Sequence, residues 1–242
     1  MDTSNHLDSY ISAYGDGFAF SFDNDLMLNW YPTRIIEKTP ASARVLELGV
    51  GHGFTTLRFA NHFARTVVVD GSAAVIEKFR RENPECTAEI IESYFETFET
   101  EERFDVIVMG FVLEHVQDPE VVLRHFKKFL APGGRCFIAV PNGQSMHRQL
   151  GHLAGLLDDM MSLGKGDLEL GHLRQYSKAS LVEQLHASGY LTSSVEGIFL
   201  KPFTTNQLKQ LDLSPAITTA LCRLGVDYPE LSCGLLAEAE LN

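Results

Sequence analysis

From residue 44 onward, short runs rich in β-branched residues alternate with segments whose apolar positions recur at helical spacing, a beat that few folds can satisfy. "RVLELG" is the first run, "TVVVDGS" the second, ending at Asp70, "AEII" the third, "FDVIVMG" the fourth and "RCFIAV" the fifth, ending at Pro141. Between them, "FTTLRFANHFA" sets Phe54, Leu57, Phe63 and Ala64 at helical spacing. Ser72 caps a helix carrying Val75, Ile76 and Phe79, which Pro84 closes. Asp118-Pro119 opens another with cap and first-turn proline in their favoured places, carrying Val122, Leu123, Phe126 and Leu130. This is the pattern of a doubly wound α/β sheet.

After Pro141 the beat lapses until Ser177 caps a helix with Leu181 and Leu185 inside and Gly189 at its end. "SSVEGIFL" and "ELSCGLLAEAEL" add two strands, with helical material from about 204 to 224 between them, so seven strands are expected. Within the lapse, Met146, Leu150, Leu153, Leu157 and Met160 alternate spacings of four and three, predicting one amphipathic helix of about four turns with His147 and His152 toward solvent. Core packing, a lid with an adaptable methionine wall, and a dimer seam are all open to it. The whole chain, 1–242, reads as one domain, with 1–43 as an N-terminal helical segment and 142–176 and 200–228 as insertions.

A formal net charge of -12 works against gripping a polyphosphate backbone, so nucleic acid is not expected as a partner. The apolar stretches are strand-sized and "MDTSNHLDSY" lacks a signal-peptide pattern, so no membrane span and a cytoplasmic location are expected. Cys86, Cys136, Cys222 and Cys233 lie far apart without metal-type spacing, which predicts reduced thiols. Oligomeric state stays open between monomer and homodimer.

"VLELGVGHGFTT" places three glycines within five positions directly after the first strand. A strand, a glycine-rich turn and a helix let a ligand approach bare backbone and an unpaired helix N-terminus, which suits nucleotides generally. The dinucleotide fingerprint would need glycine at 54, where the chain has Phe54, so the register is wrong for a nicotinamide cofactor. "ELGVGHG" resembles instead the E/D-x-G-x-G-x-G motif of class I S-adenosylmethionine-dependent methyltransferases. "FDVIVMGFVLEHVQDP" and "LAPGGRCFIAVPN" resemble the fourth and fifth strand regions of their small-molecule branch, and "GHLRQYS" before a helix resembles ubiquinone-type O-methyltransferases. The likeness runs from about residue 43 to 200. It implies a Rossmann-like, seven-stranded, mostly parallel sheet with the last strand antiparallel and a helical lid insertion.

The resemblance also implies a cofactor, S-adenosylmethionine, leaving as S-adenosylhomocysteine. Gly49, Gly51 and Gly53 would pass beneath its methionine and ribose portion, with Glu47 orienting the turn or the cofactor's amino group. Asp70, followed by Gly71, sits where the family places the acid that grips both ribose hydroxyls, and a carboxylate does offer two acceptor oxygens to two donors. "ESYFE" falls at the adenine region, offering Ser93, Tyr94 and Phe95, although the family often has an acid there and Phe95 suits the core equally. Met109 and Gly110 would line the methionine moiety. Tyr10, Tyr14 and Gly15-Asp16-Gly17 are candidates to close the site. Phe18, Phe20 and Phe22 fit ordinary helix packing.

Methyl transfer from a sulfonium needs alignment and a neutral or deprotonated acceptor, and an oxygen acceptor usually needs a base near the working pH. The catalytic candidates are His172, His115 and Tyr176. In an extended segment His172, Arg174 and Tyr176 would share one face, looking into the pocket or pinning the insertion to the sheet. His115 either serves chemistry or packs a helix start. Glu114 and His115 also resemble part of a metal-binding pattern of some ubiquinone-type enzymes, but Phe111 replaces its earlier acid and two donors make a thin site, so no metal is expected. The resulting reading is methyl transfer to an oxygen, or a nitrogen, of a small metabolite. A catalytically silent S-adenosylmethionine-binding module, a nucleic-acid methyltransferase and a nicotinamide dehydrogenase are the alternatives.

Overall fold

The structure is a computed structural model and describes residues 21–242. Tyr10, Tyr14, Gly15–Gly17, Phe18 and Phe20 therefore lie outside the described residues. One sheet of seven strands runs through the molecule: β1 Arg44–Leu48, β2 Arg65–Asp70, β3 Glu89–Glu92, β4 Phe104–Gly110, β5 Leu130–Pro141, β6 Tyr190–Ile198 and β7 Gly234–Leu241. Their order is β3-β2-β1-β4-β5-β7-β6. The first five pair in parallel. The last strand, β7, runs antiparallel to both β5 and β6, as expected. The chain departs from β1 toward β2 on one side and returns to β4 on the other, so a crevice opens beyond the carboxyl ends of β1 and β4.

Both sheet faces are covered, which is why β1, β2 and β4 read as continuous apolar runs. On one face Leu46, Leu48, Ile107 and Met109 meet α4 (Pro119–Phe126) and α7 (Lys178–Ala187). On the other, Val45, Val106 and Val108 pack against Tyr31 and Ile35 of α1 (Ser21–Lys38) and Phe59 of α2 (Phe54–His62). α3 (Ala73–Glu82) seals the β2–β3 edge through Val75, Ile76 and Phe79. Ser72 and Asp118 cap α3 and α4 as predicted, their side chains accepting from Val75 N–H and from Glu120 and Val121 N–H respectively. The carboxyl end of α1 is tied to the antiparallel strands by Arg34 and Lys38, which pair with Glu196, and by Lys38 and Arg135, which share Glu238.

Two expectations need correction. The insertion does not hold one four-turn helix: α5 spans only Met146–Leu153, and Gly155 then adopts φ 69°. Leu153 is 82 % exposed, and Arg148 donates to the carbonyls of Met160 and Ser162, drawing the chain back instead of onward. The apolar periodicity was real, but two glycines inside it weaken the helix, and Gly155 closes its end. A short helix α6 (Lys165–Glu169) follows. Second, Phe54 faces the crevice and is exposed, while Phe59 takes the buried position on α2. The helical material expected near 204–224 is present as two helices, α8 (Thr205–Gln210) and α9 (Pro215–Gly225), parted at Asp212, whose φ is 45°.

Phe126 is fully buried and lies among Phe95, Phe98 and Phe129, so it anchors α4 to the sheet. Phe126→Ala is expected to lower the unfolding free energy by about 3–5 kcal/mol. Urea denaturation of the two proteins reads this directly, and a loss below about 1 kcal/mol would show that the aromatic group does not act as one packed unit.

Candidate functional site

At the carboxyl ends of β1 and β4 lies a cavity of about 380 Å³. Its floor is the turn between β1 and α2. Gly49, Gly51 and Gly53 have φ of 82°, 52° and 80°, values that residues with a Cβ rarely adopt. A Cβ at Gly53 would strike the Phe79 ring, whereas one at Gly51 would meet nothing within 4 Å, so the chain at Gly51 presents bare backbone to the cavity. The turn is clamped from β2: Asp70 accepts Val50 N–H on Oδ2 and Ser72 N–H on Oδ1, both at 2.8 Å. A carboxylate offers about four acceptor sites, so these bonds fix its plane without exhausting it.

Glu47 follows from strand alternation. Leu46 and Leu48 enter one core, and Glu47 points to the opposite face, where its Oε2 accepts the Thr56 hydroxyl at 2.8 Å. It lines the cavity but is only 3 % exposed. Burial pushes its carboxyl up to about 8, against the Thr56 hydrogen bond and helped by the charge of Asp70. Beside it the Tyr31 hydroxyl is 2.8 Å from Thr55 Oγ1.

The other end of the cavity is built where the segment after α6 runs along the loop after β4. Leu173 N–H donates to Glu114 O, and the Arg174 guanidinium donates to the carbonyls of Leu113, Val116 and Gln117. This seam brings His172 against His115, with ring centroids 4.8 Å apart and planes at 81°. Nδ1 of His172 is 3.2 Å from Asp167 Oδ1. Glu114 is completely buried, and neither carboxylate oxygen has a hydrogen-bond partner among the described residues. Burial pushes its carboxyl up to about 7, opposed by His172 and Arg174. Burial likewise drives the His115 imidazole down to about 3, with His172 adding to the effect.

Of the residues singled out from sequence, Glu47, Gly49, Gly51, Gly53, Gly110, His115 and His172 line this one cavity. Asp70 stands behind the turn and holds it; Gly71 and Met109 are buried beside it. Ser93 donates its N–H to Asp70 O, Tyr94 is 52 % exposed, and Phe95 packs against Phe126, all outside the cavity lining. Tyr176 is not brought to the cavity. It is buried, and its hydroxyl donates to Gln184 Oε1 at 2.9 Å. Arg174 is likewise spent on carbonyls, because the segment carries both residues into the seam rather than presenting three side chains to one open face. His147, expected in solvent, lines the cavity, and burial lowers it to about 3; His152 is exposed.

Sequence reasoning missed Asp23, Lys201 and Asp167, which also line the cavity. Asp23 and Lys201 form a buried ion pair, and Thr205 donates its hydroxyl to the same Asp23 oxygen at 2.6 Å. The signal for Lys201 was a lone cation directly after an apolar strand and before Pro202. Asp167, within a polar stretch, gave none.

Comparison with known proteins agrees with this architecture. A family described as "Methyltransferase domain" matches residues 26–194. A ubiquinone biosynthesis O-methyltransferase of Aeromonas salmonicida is 27 % identical over 192 residues, covering 77 % of each chain. A cypemycin N-terminal methyltransferase of a Streptomyces species is 29 % identical over 98 residues, covering 39 % of this chain and 40 % of its own. Among solved structures, the N-methyltransferase NodS of Bradyrhizobium japonicum bound to S-adenosylhomocysteine superposes with a TM-score of 0.61 at 16 % identity, covering 98 % of this chain and 99 % of its own. The magnesium protoporphyrin IX methyltransferase of Synechocystis, also with S-adenosylhomocysteine, gives 0.62 at 13 % identity, covering 98 % and 94 %.

Glu47 sets a pH dependence on the fold. Between the ordinary 4.5 and about 8 the folded chain holds a proton that the unfolded chain has released, so stability falls as pH rises through that window. Glu47→Gln, which cannot ionise, is expected to flatten the fall in cofactor-free protein. Melting temperature followed from about pH 5 to about pH 9 tests this, and an unchanged slope would assign the fall to other groups.

Proposed function

Because the chain belongs to the class I S-adenosylmethionine-dependent methyltransferases, we propose that its acceptor is a small metabolite and that the methyl group goes to an oxygen. One observation carries this reading: a single cavity of about 380 Å³ joins the bare glycine turn to the Glu114, His115 and His172 group. That volume suits one small molecule beside part of a cofactor. Amine acceptors need little help with their proton, whereas a hydroxyl needs a place for it. The His172 imidazole and the Glu114 carboxyl, pushed up to about 7, lie at the acceptor end and answer that need.

The residues present fit the cofactor. Gly51 leaves open space where a side chain would stand, and Glu47 is a buried carboxyl, without a cationic partner of its own, beside the place a methionine ammonium would take. Asp70, its plane fixed by two backbone N–H groups, is oriented for paired ribose hydroxyls. Gly49, Gly53 and Gly110 line the same cavity, and Gly71, Ser93, Tyr94 and Met109, at the carboxyl ends of β2 to β4, are the candidates for the nucleoside side, whereas Phe95 packs against Phe126. Bound S-adenosylmethionine supplies an electrophilic methyl on a sulfonium. Tyr31 and Phe111, packed edge to face with ring centroids 5.7 Å apart, both line the cavity and would help set the line along which an acceptor atom approaches. Residues 142–176 act as the acceptor-side lid, contributing His147, Arg148, Asp167, His172 and Gln175 to the wall, while 200–228 contribute Lys201.

A panel of small phenols, catechols, carboxylic acids and amines, assayed with S-adenosylmethionine, tests the acceptor class. Turnover of hydroxyl acceptors is expected, and turnover confined to amines would overturn the oxygen reading. Asp70→Ala is expected to weaken cofactor binding about tenfold or more by calorimetry; unchanged affinity would detach Asp70 from the ribose. His172→Ala is expected to slow turnover about a hundredfold while changing cofactor affinity little. Equal losses in both would show that His172 only holds the seam.

A further inference from the structure

Among the described residues, Arg148, Lys165 and Lys201 are the lysine and arginine side chains that line the cavity. Lys165 is exposed and pairs with Glu169, and Lys201, only 4 % exposed, pairs with Asp23. Arg148, on α5, has no carboxylate within ion-pairing distance among the described residues. Its Nε and Nη2 donate instead to the carbonyls of Met160 and Ser162, at 2.7 and 2.5 Å. These neutral acceptors fix the plane of the guanidinium, leave its charge unbalanced and leave its Nη1 end unused. Asp167 feels the Arg148 charge, but its two oxygens face His172 Nδ1 and the Gly164 N–H. Lys201 keeps one N–H beyond the two it gives to Asp23 and Thr205. Burial lowers the His147 imidazole and raises the Cys233 thiol, and at both groups Lys201 and Arg148 act together to lower, so the two cations stand around one stretch of wall. A half-buried cation without a counter-ion is costly unless a ligand supplies one.

We propose that Arg148 and Lys201 form a subsite for a carboxylate carried by the methyl acceptor, so that the substrate is a small carboxylic acid. The topology sets this subsite apart from the glycine turn. Arg148 follows β5 and Lys201 follows β6, strands that run the same way because both are antiparallel to β7, and both lie on the far side of β4 from β1. β5 is two strand spacings from β1, about 10 Å, and β6 is four. The anion held there therefore belongs to the acceptor and not to the cofactor over the turn. Its charge follows from the balance of the wall: Asp23 neutralises Lys201, so one positive charge, that of Arg148, is left. A carboxylate matches it, whereas a phosphoryl group would bring nearly two negative charges. With Nε and one Nη2 N–H given to carbonyls, Nη1 and the remaining Nη2 N–H form the planar fork that meets two carboxylate oxygens. The inference rests on the cavity being the acceptor site of a methyltransferase; it does not depend on which atom is methylated.

The test uses the full chain with S-adenosylhomocysteine and matched pairs that differ only in the acidic group: hydroxybenzoates against hydroxybenzamides, aminobenzoates against aminobenzamides, and lactate against lactamide, with phenyl phosphate beside them. By calorimetry, at least one acid is expected to bind at least about tenfold more tightly than its amide. Arg148→Gln should remove this preference by weakening the acid alone, and the same ratio is read in kcat/KM for any pair that is turned over. Lys128→Ala, at an exposed lysine paired with Glu99, should leave the ratio unchanged. Circular dichroism checks folding, and should Arg148→Gln not fold, the double variant Asp23→Asn, Lys201→Met, which removes the buried pair together, decides by the same loss of preference. Acids bound no better than their amides, an acid preference that survives the substitution, an equal loss for acid and amide, or a preference for phenyl phosphate over every carboxylate overturns the subsite. So does a loss of S-adenosylhomocysteine affinity as large as the loss for the acid, which would assign the cations to the cofactor. An acid preference with methylation confined to amines would defeat the oxygen reading alone, and hydroxyl turnover blind to the acidic group would defeat this inference alone.

Discussion

Two backbone N–H groups, one from Val50 in the β1 turn and one from Ser72 at the head of α3, converge on the Asp70 carboxylate. The rest of the site depends on this clamp. The turn it holds contains three left-handed glycines, each with more unfolded freedom to lose than any other residue, so the turn has little intrinsic preference for its native path. Fixing its middle to the end of the neighbouring strand makes the path unique and leaves bare backbone facing the cavity. The same two bonds fix the plane of the Asp70 carboxylate behind that turn.

The cavity wall is assembled from side chains that would be poor choices for stability alone. Glu47 and Glu114 are buried carboxyls held well above their ordinary range, and Asp23 and Lys201 are buried as an ion pair, with one Asp23 oxygen left without a partner. Replacing such groups by apolar ones of similar size is often neutral or stabilising. Their concentration along one cavity, while the other buried positions of the strands behind it are apolar, marks that wall as built for binding and chemistry.

Two different devices position the two ends of the cavity. The glycine-turn end rests on strand termini and a helix start inside the parallel half of the sheet, both faces of which are covered. The histidine end rests on a seam of backbone hydrogen bonds and one guanidinium, between the loop after β4 and an insertion whose helices are short. An end built from such connecting segments is free to differ among proteins of the same fold.

The sequence by itself determined the strands, the capped helices and the glycine turn, because each depends on local period, cap chemistry or backbone freedom within a few residues. Ser72, Asp118 and Ser177 cap the helices they were read to cap, and Glu47, Gly51 and Asp70 fall at the turn. It misjudged the insertion, where the apolar spacing from Met146 to Met160 outran the glycines that break it, and it left Tyr176 at the pocket when its hydroxyl serves Gln184. What only the tertiary structure decided is the meeting of groups far apart in the chain: His172 with His115 and Glu114, and Asp23 with Lys201. Periodicity reports which face of an element is buried but not which distant element lies against it. That partner is chosen by the packing of the whole sheet and its crossings, so the histidine end of the cavity existed only once the chain had closed on itself.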